Sequence, residues 1–322
     1  MKIVYDPRHV FYSPKSEFDG FKLIENMDKP GRIESIKEVL QLKYGDIVIG
    51  AKDFPRSYLY FVHSSDYINW LKEKQYTLEN NQEYFPRMFG YDFCIDTKTP
   101  VSKNTFEMAW ISAKCSLTGA TLMLEGEELV YSCSRPPGHN AGLSYCGGGS
   151  YFNNAALATR YLQKNGDIYI AILDLDFYAG NGTQEIFYED NTVLTISIHG
   201  NPSIHYPYVS GFEWEIGGKD GKGYNINFPL KDNINGRVYL RVLEKALLEI
   251  EDFDPDFIII PFGSNTHEKD ISTSFKLKDG DYKEMGEMLS YLNIPKLIIQ
   301  EGGFNSQINE KVISNLFDGL NI

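Results

Sequence analysis

The stretch that most constrains the fold runs from Ala171 to Gln184 and reads Ala-Ile-Leu-Asp-Leu-Asp-Phe-Tyr-Ala-Gly-Asn-Gly-Thr-Gln. A short apolar run leads into two carboxylates, Asp174 and Asp176, one residue apart. A glycine turn and a helix-compatible segment follow. A strand that is apolar on both faces belongs inside a parallel sheet covered by helices. Groups that follow such a strand stand at the carboxyl edge of the sheet, where α/β proteins assemble ligand sites.

The rest of the chain repeats the pattern. Strands are predicted at Lys2 to Tyr5, Leu129 to Cys133, Ile168 to Asp174, Thr192 to Ile198, Asn225 to Leu230, Asp256 to Pro261 and Lys296 to Gln300. Helices are predicted at Gly31 to Tyr44, Asp66 to Gln75, Thr105 to Leu124, about Tyr151 to Gln163, Asn235 to Glu251, Asp281 to Leu292 and Gln307 to Leu316. Small residues Ala109, Ala113, Gly119 and Ala120 give one helix a face suited to close packing on a sheet. Residues 7 to 30 and 76 to 104 read as long irregular loops, and long loops are often functional. Without a repeat or a linker, residues 1 to 322 read as a single α/β domain with a central, mostly parallel sheet and helices on both faces.

A hydrophobic content of 42% supplies a large core, and a net charge of −13 argues against nucleic-acid binding, which needs basic patches. No apolar run reaches the ~20 residues that span a bilayer, so no membrane partner is expected. Cys94, Cys115, Cys133 and Cys146 form no C-x-x-C pair and are expected as reduced thiols in a cytoplasmic protein.

Four loops follow predicted strands, at residues 134 to 149, 174 to 184, 263 to 270 and 301 to 305, and should converge. They carry Arg135-Pro136-Pro137-Gly138-His139, Asp174-Leu175-Asp176, Gly180-Asn181-Gly182-Thr183-Gln184, Gly263-Ser264-Asn265-Thr266 and Glu301-Gly302-Gly303. In this order the motifs resemble those of the arginase/deacetylase superfamily, and most of all the bacterial acetylpolyamine amidohydrolases, relatives of the histone deacetylases. The resemblance runs from about residue 129 to 305 and implies an eight-stranded sheet. It also implies zinc-assisted amide hydrolysis: zinc held by an Asp, a His two residues later and a later Asp, two tandem His residues for protons, and a Tyr hydroxyl for the oxyanion.

Position by position, this chain departs from that pattern. Asp176 stands at the first zinc position, but the His position holds Tyr178, with Ala179 after it, and the later Asp position holds Asn265. A neutral phenol and a neutral amide are poor zinc ligands. Of the tandem His pair, His139 is present and the second is Asn140, which cannot act as a general base. The oxyanion Tyr position holds Phe304. Asp174 matches the residue that orients the first His, and with Ser197 it matches the side chains of a structural potassium site. Among substrate positions, Gly149 replaces an aromatic wall, Tyr206 matches the opposite wall, and Glu17 lies where an acidic residue meets a polyamine ammonium. His267 could replace a metal ligand or simply bond locally, His199 reads as structural, and His9, His63 and His205 show no pairing.

The first expectation is a non-catalytic deacetylase relative, without zinc and with a potassium site retained, that binds a small cationic or acylated ligand or a partner. The alternatives are a working zinc deacetylase of acetylated polyamines and a metal-free enzyme that reuses His139 and Asp174. The resemblance implies a homo-oligomer, formed through the long loops.

Overall fold

In the computed structural model, residues 1–19, 22–87 and 92–320 are described. The sheet strands are β1 (Lys2–Tyr5), β2 (Val48–Gly50), β3 (Leu129–Ser132), β4 (Ile170–Asp174), β5 (Val193–Gly200), β6 (Asn225–Leu230), β7 (Phe257–Phe262) and β8 (Lys296–Gln300). They form one eight-stranded sheet in the order β6-β5-β4-β7-β8-β3-β1-β2. Every pairing in it is parallel, so the expected "mostly parallel" sheet is parallel throughout.

Helices cover both faces: α1 (Gly31–Tyr44), α2 (Ser65–Tyr76), α3 (Thr105–Leu124), α4 (Asn154–Gln163), α5 (Asn181–Phe187), α6 (Gly236–Phe253), α7 (Asp279–Tyr291) and α8 (Ser306–Gly319). Side chains alternate across a strand, and the two cores follow that period. Leu173, Ile258, Ile260 and Ile298 pack with Ile36, Leu243, Met285 and Leu316 from α1, α6, α7 and α8. Ile172, Ile259, Leu297 and Ile299 face the other way, onto Leu71, Leu117, Ala120 and Leu157 from α2, α3 and α4. The small residues of α3 lie in this second core, as their spacing predicts.

Three segments differ from the sequence reading. Residues 7 to 30 are not irregular throughout: Pro7–Phe11 is a 3-10 turn, and Ser16–Asp19 pairs antiparallel with Lys22–Glu25, with Glu17 opposite Ile24; Gly20 lies outside the described residues. The segment at 76 to 104 contains a two-residue pairing of Glu83–Tyr84 with Val101–Ser102, and residues 88–91 lie outside the described set. Strand β2 has no sequence forecast. It is three residues long, too short to show a period, and the register with β1 fixes it.

The helix that follows β4 places the site. The first turn of a helix leaves backbone N–H groups without intrahelical partners. In α5, the N–H groups of Gly182 and Thr183 both donate to the carbonyl of His139 at 3.1 Å. A Cβ on Gly182 would stand 2.2 Å from the carbonyl oxygen of Ala141, so only glycine permits this approach. Gly182→Ala should therefore destabilise the protein by about 1–3 kcal/mol. Urea unfolding measures it, and a cost below about 0.5 kcal/mol would show that the loop yields freely.

Candidate functional site

The site begins where β4 ends. Asp174 Oδ1 accepts from the N–H of Asp176 at 3.0 Å, and Asp176 Oδ1 accepts from the N–H of Tyr178 at 2.9 Å. Such short-range side-chain-to-backbone bonds shape turns, and the two in series carry the chain off the sheet edge. Both carboxyl groups are buried. Asp174 Oδ2 faces His139 Nδ1 at 2.9 Å, and His139 Nε2 lies 4.0 Å from Asp176 Oδ1. Burial opposes charge on His139, but Asp174 and Asp176 outweigh it and raise its pKa to about 10. Burial also raises Asp174, against the pull of His139.

Asn265 follows β7. Its Oδ1 accepts from the N–H of Phe177 at 3.2 Å, and its Nδ2 donates to Asp176 Oδ1 at 2.9 Å. A backbone N–H can only donate, so the sense of this amide is fixed: its NH2 faces the carboxylate. The N–H of Gly302 donates to Asp176 Oδ2 at 2.8 Å. Asp176 therefore receives N–H donors from Tyr178 and Asn265 on one oxygen and from Gly302 on the other.

Neighbouring side chains are equally committed. Asn140 Nδ2 donates to the carbonyl of Ala179 at 2.8 Å and to Asn181 Oδ1 at 2.9 Å. The Tyr178 hydroxyl donates to the carbonyl of Ser272 at 3.2 Å, and burial foremost raises its pKa. The Tyr206 hydroxyl donates to Asp96 Oδ2 at 2.9 Å. Phe304 places its ring under the Arg32 guanidinium, 4.7 Å from centroid to carbon, and its N–H donates to Asp270 Oδ2 at 2.8 Å. Gly149 has φ +76°, a conformation that suits glycine, and a Cβ there would meet nothing nearer than Pro137 Cγ at 4.0 Å.

His139, Asn140, Gly149, Asp176, Tyr178, Tyr206, Asn265, Phe304 and Glu17 all line one cavity of about 160 Å³. The four loops expected to converge do meet here, and Glu17 and Tyr206 join them. Ser197 stands apart. It is the register partner of Asp174, bonds His199 Nδ1 at 2.7 Å, and lines with Asp174 a separate cavity of about 10 Å³.

A buried ionic cluster braces the site from the N-terminal side. Asp28 Oδ1 accepts from Arg32 Nη1 and Arg135 Nε, each at 2.7 Å. Arg32 also donates to the carbonyls of Glu301 and Gly303, and Arg135 to those of Asp28 and His9. Glu301 Oε2 accepts from the N–H groups of Gly138 at 2.7 Å and His139 at 3.2 Å, and burial foremost raises its pKa to about 7.

A model of the histone deacetylase domain matches residues 26–320. The chain belongs to the histone deacetylase family. Acetylpolyamine amidohydrolase 1 of Pseudomonas aeruginosa is 33% identical over 326 residues, covering 94% of each chain. Acetylpolyamine amidohydrolase of Mycoplana ramosa is 32% identical over 341 residues, covering 99% of each. A crystal structure of acetylpolyamine aminohydrolase from Burkholderia pseudomallei superposes with a TM-score of 0.95 at 27% identity, over all of this chain and 98% of that one. The histone deacetylase fold explains the parallel sheet and the gathering of loops at its carboxyl edge.

His267 does not belong to this cavity. Its Nε2 bonds Asp279 Oδ1 at 3.0 Å and its Nδ1 accepts from the N–H of Lys269 at 3.1 Å, so both ring nitrogens are spent and the replacement-ligand idea falls away. His199 is structural, held between Ser197 and the carbonyl of Gly211 at 2.8 Å. His63 does have partners: it braces the two ends of residues 142–153 through the carbonyl of Gly142 and the N–H of Asn153. His9 and His205 have partners too, in Glu34 and Asp232. Sequence reasoning missed Asp28, Asp96, Tyr12 and Tyr208. Asp28 and Arg32 were visible only as an i,i+4 pair, which ordinarily means a surface ion pair.

The Asp28 cluster yields a test. Burial alone would raise the pKa of Asp28, but Arg135 and Arg32 outweigh it and hold it below the usual value. Its ionisation therefore stabilises the fold above about pH 4, and this contribution is lost as pH falls through the depressed pKa. Asp28→Asn should cost about 3–5 kcal/mol near pH 7, because two buried guanidinium groups lose their counter-charge. In urea unfolding, the gap between wild type and variant should narrow below about pH 4; a gap independent of pH would refute the assignment.

Proposed function

We propose that this deacetylase-family chain does not carry the zinc centre of amide hydrolysis and instead uses its pocket to bind a small cationic, polyamine-like ligand. One observation carries the reading. The Phe177 N–H fixes Asn265 so that a donor, not an acceptor, faces Asp176. A zinc ion needs electron-pair donors, and an NH2 group pointed at the same carboxylate occupies the ion's place. The Tyr178 position agrees, since that residue spends its hydroxyl on Ser272 and burial foremost raises its pKa. The residues present do not fit zinc, and among the described residues no group of three His, Cys, Asp or Glu side chains is arranged to hold a metal.

The same reading keeps a structural monovalent cation near Asp174 and Ser197, where the small cavity between them has room for one water-sized species. A ligand pocket is supported by the shared cavity, by Glu17 on its lining and by the net charge of −13. Location in the cytoplasm belongs to the proposal through the four free cysteines, and assembly into a homo-oligomer through the family alone.

A second reading keeps amide hydrolysis. It is favoured by the amidohydrolase relatives and by the His139–Asp174 pair, which opens on the same cavity as Asp176. Metal analysis separates the two. Protein incubated with zinc and dialysed should hold well under one equivalent, and should not hydrolyse an N-acetylated diamine. Tyr178→His with Asn265→Asp should raise zinc uptake toward one equivalent. Stoichiometric zinc with hydrolysis in the wild type would overturn the first reading in favour of the second.

A further inference from the structure

Around His139, buried acid outnumbers base. Asp176 stands on the pocket lining, with Glu17 and Lys98 also on it, while Asp174 and Glu301 are buried against His139, which is already set on Asp174. Arg32 and Arg135 are committed to Asp28.

Acceptors with room for a donor include two on residues of the cavity lining; the buried Glu301 Oε1, off the lining, has no partner either. A carboxylate oxygen accepts two hydrogen bonds. Asp176 Oδ1 receives two N–H donors, whereas Oδ2 receives one, from Gly302. Asn140 supplies the second position. The carbonyl of Ala179 can only accept, so the Asn140 NH2 must face it, and Asn181 Oδ1 takes the other hydrogen. The Asn140 Oδ1 therefore points away from both. It lies against Gly148, where a Cβ would stand 2.3 Å from it, and Asn140 and Gly148 both line the cavity. Asn140 is 2% exposed, and among the described residues no donor reaches its Oδ1. An amide oxygen without a protein donor is open to a donor from a ligand. The rings of Tyr178 and Tyr206 flank the same cavity, edge to face at 6.1 Å, and tyrosine faces attract cations.

We propose that the pocket binds a primary alkylammonium with its charged head inward, the N–H groups donating to Asp176 Oδ2 and Asn140 Oδ1 and the alkyl chain running past Tyr178 and Tyr206. This rests on the reading that zinc is not held there. An acetylated amine suits these positions less well. It has one N–H to offer two acceptors and brings no charge to Asp176. A free amine is thus preferred over its acetylated form, the reverse of what an acetyl-removing pocket selects.

Calorimetric titration of the whole protein at pH 7.5 with butylamine and with N-butylacetamide tests this, with zinc measured on the same sample. Butylamine should bind at least about tenfold more tightly than N-butylacetamide. Asn140→Leu should weaken butylamine by about tenfold or more, and Glu17→Gln should change it less than about twofold, because the single charge sits at the inner end. Circular dichroism checks that both variants fold, and the wild-type comparison decides the matter where one does not. Tighter binding of N-butylacetamide, or loss of butylamine with Glu17→Gln and not with Asn140→Leu, overturns the inference. Failure of butylamine to bind zinc-free protein overturns it while leaving the metal reading intact; stoichiometric zinc overturns both.

Discussion

The buried N–H of Phe177 needs an acceptor, and that single requirement organises the heart of the pocket. Asn265 provides the oxygen and, being an amide, must then turn two hydrogens toward Asp176. A carboxylate at the same place would offer one oxygen to Phe177 and leave the other free to accept a cation. The exchange of one oxygen for one NH2 thus converts a two-acceptor junction into a closed acceptor–donor pair. Burying a lone carboxylate is costly; here the donors from Tyr178, Asn265 and Gly302 share that cost among neutral groups.

The surrounding loops do not depend on that junction. Asp28, Arg32 and Arg135 tie the N-terminal segment to the loop before His139 and to the backbone after β8. Glu301 holds the N–H groups of Gly138 and His139, and α5 holds the carbonyl of His139. His139 is therefore fixed through its backbone on both sides, and through its ring by Asp174. An arrangement braced in this way keeps its shape when chemistry at Asp176 changes, which is how a family fold can persist around altered residues.

Much of this was legible in the sequence because the deciding signals were local. Continuous apolar runs such as Ala171 to Leu173 and Leu297 to Ile299 allowed parallel strands and little else, and the residues that follow them had to meet at one edge. The Asp174-Leu175-Asp176 spacing forecast two carboxylates at a strand end, and both are there. What escaped depends on contacts distant in sequence. Strand β2 exists through its register with β1. Asp28 acquires its weight from Arg135, 107 residues away. His267 could be weighed as a ligand only until its ring nitrogens were seen to bond Asp279 and Lys269. The sense of the Asn140 and Asn265 amides is a matter of three-dimensional donors and acceptors, invisible to composition or period.

The two amides act in opposite directions, and that opposition gives the pocket its character. Asn265 turns its NH2 inward and fills Asp176 Oδ1; Asn140 turns its NH2 outward, to Ala179 and Asn181, and among the described residues leaves its Oδ1 without a donor. Substituting amides for charged or titrating groups usually makes a site inert, since an amide neither takes up nor releases a proton near neutral pH. Orientation nevertheless decides what such a site recognises. On the proposed reading, one amide closes one oxygen of the carboxylate, the other presents an acceptor, and the cavity favours a ligand that brings hydrogen-bond donors. Tyr178 completes the bias, because its hydroxyl is spent on Ser272 and its ring is what remains to face the cavity. On the proposed reading, the residues that depart from the family pattern at Asn140, Tyr178 and Asn265 are then not three separate losses but one change in the kind of group the pocket selects.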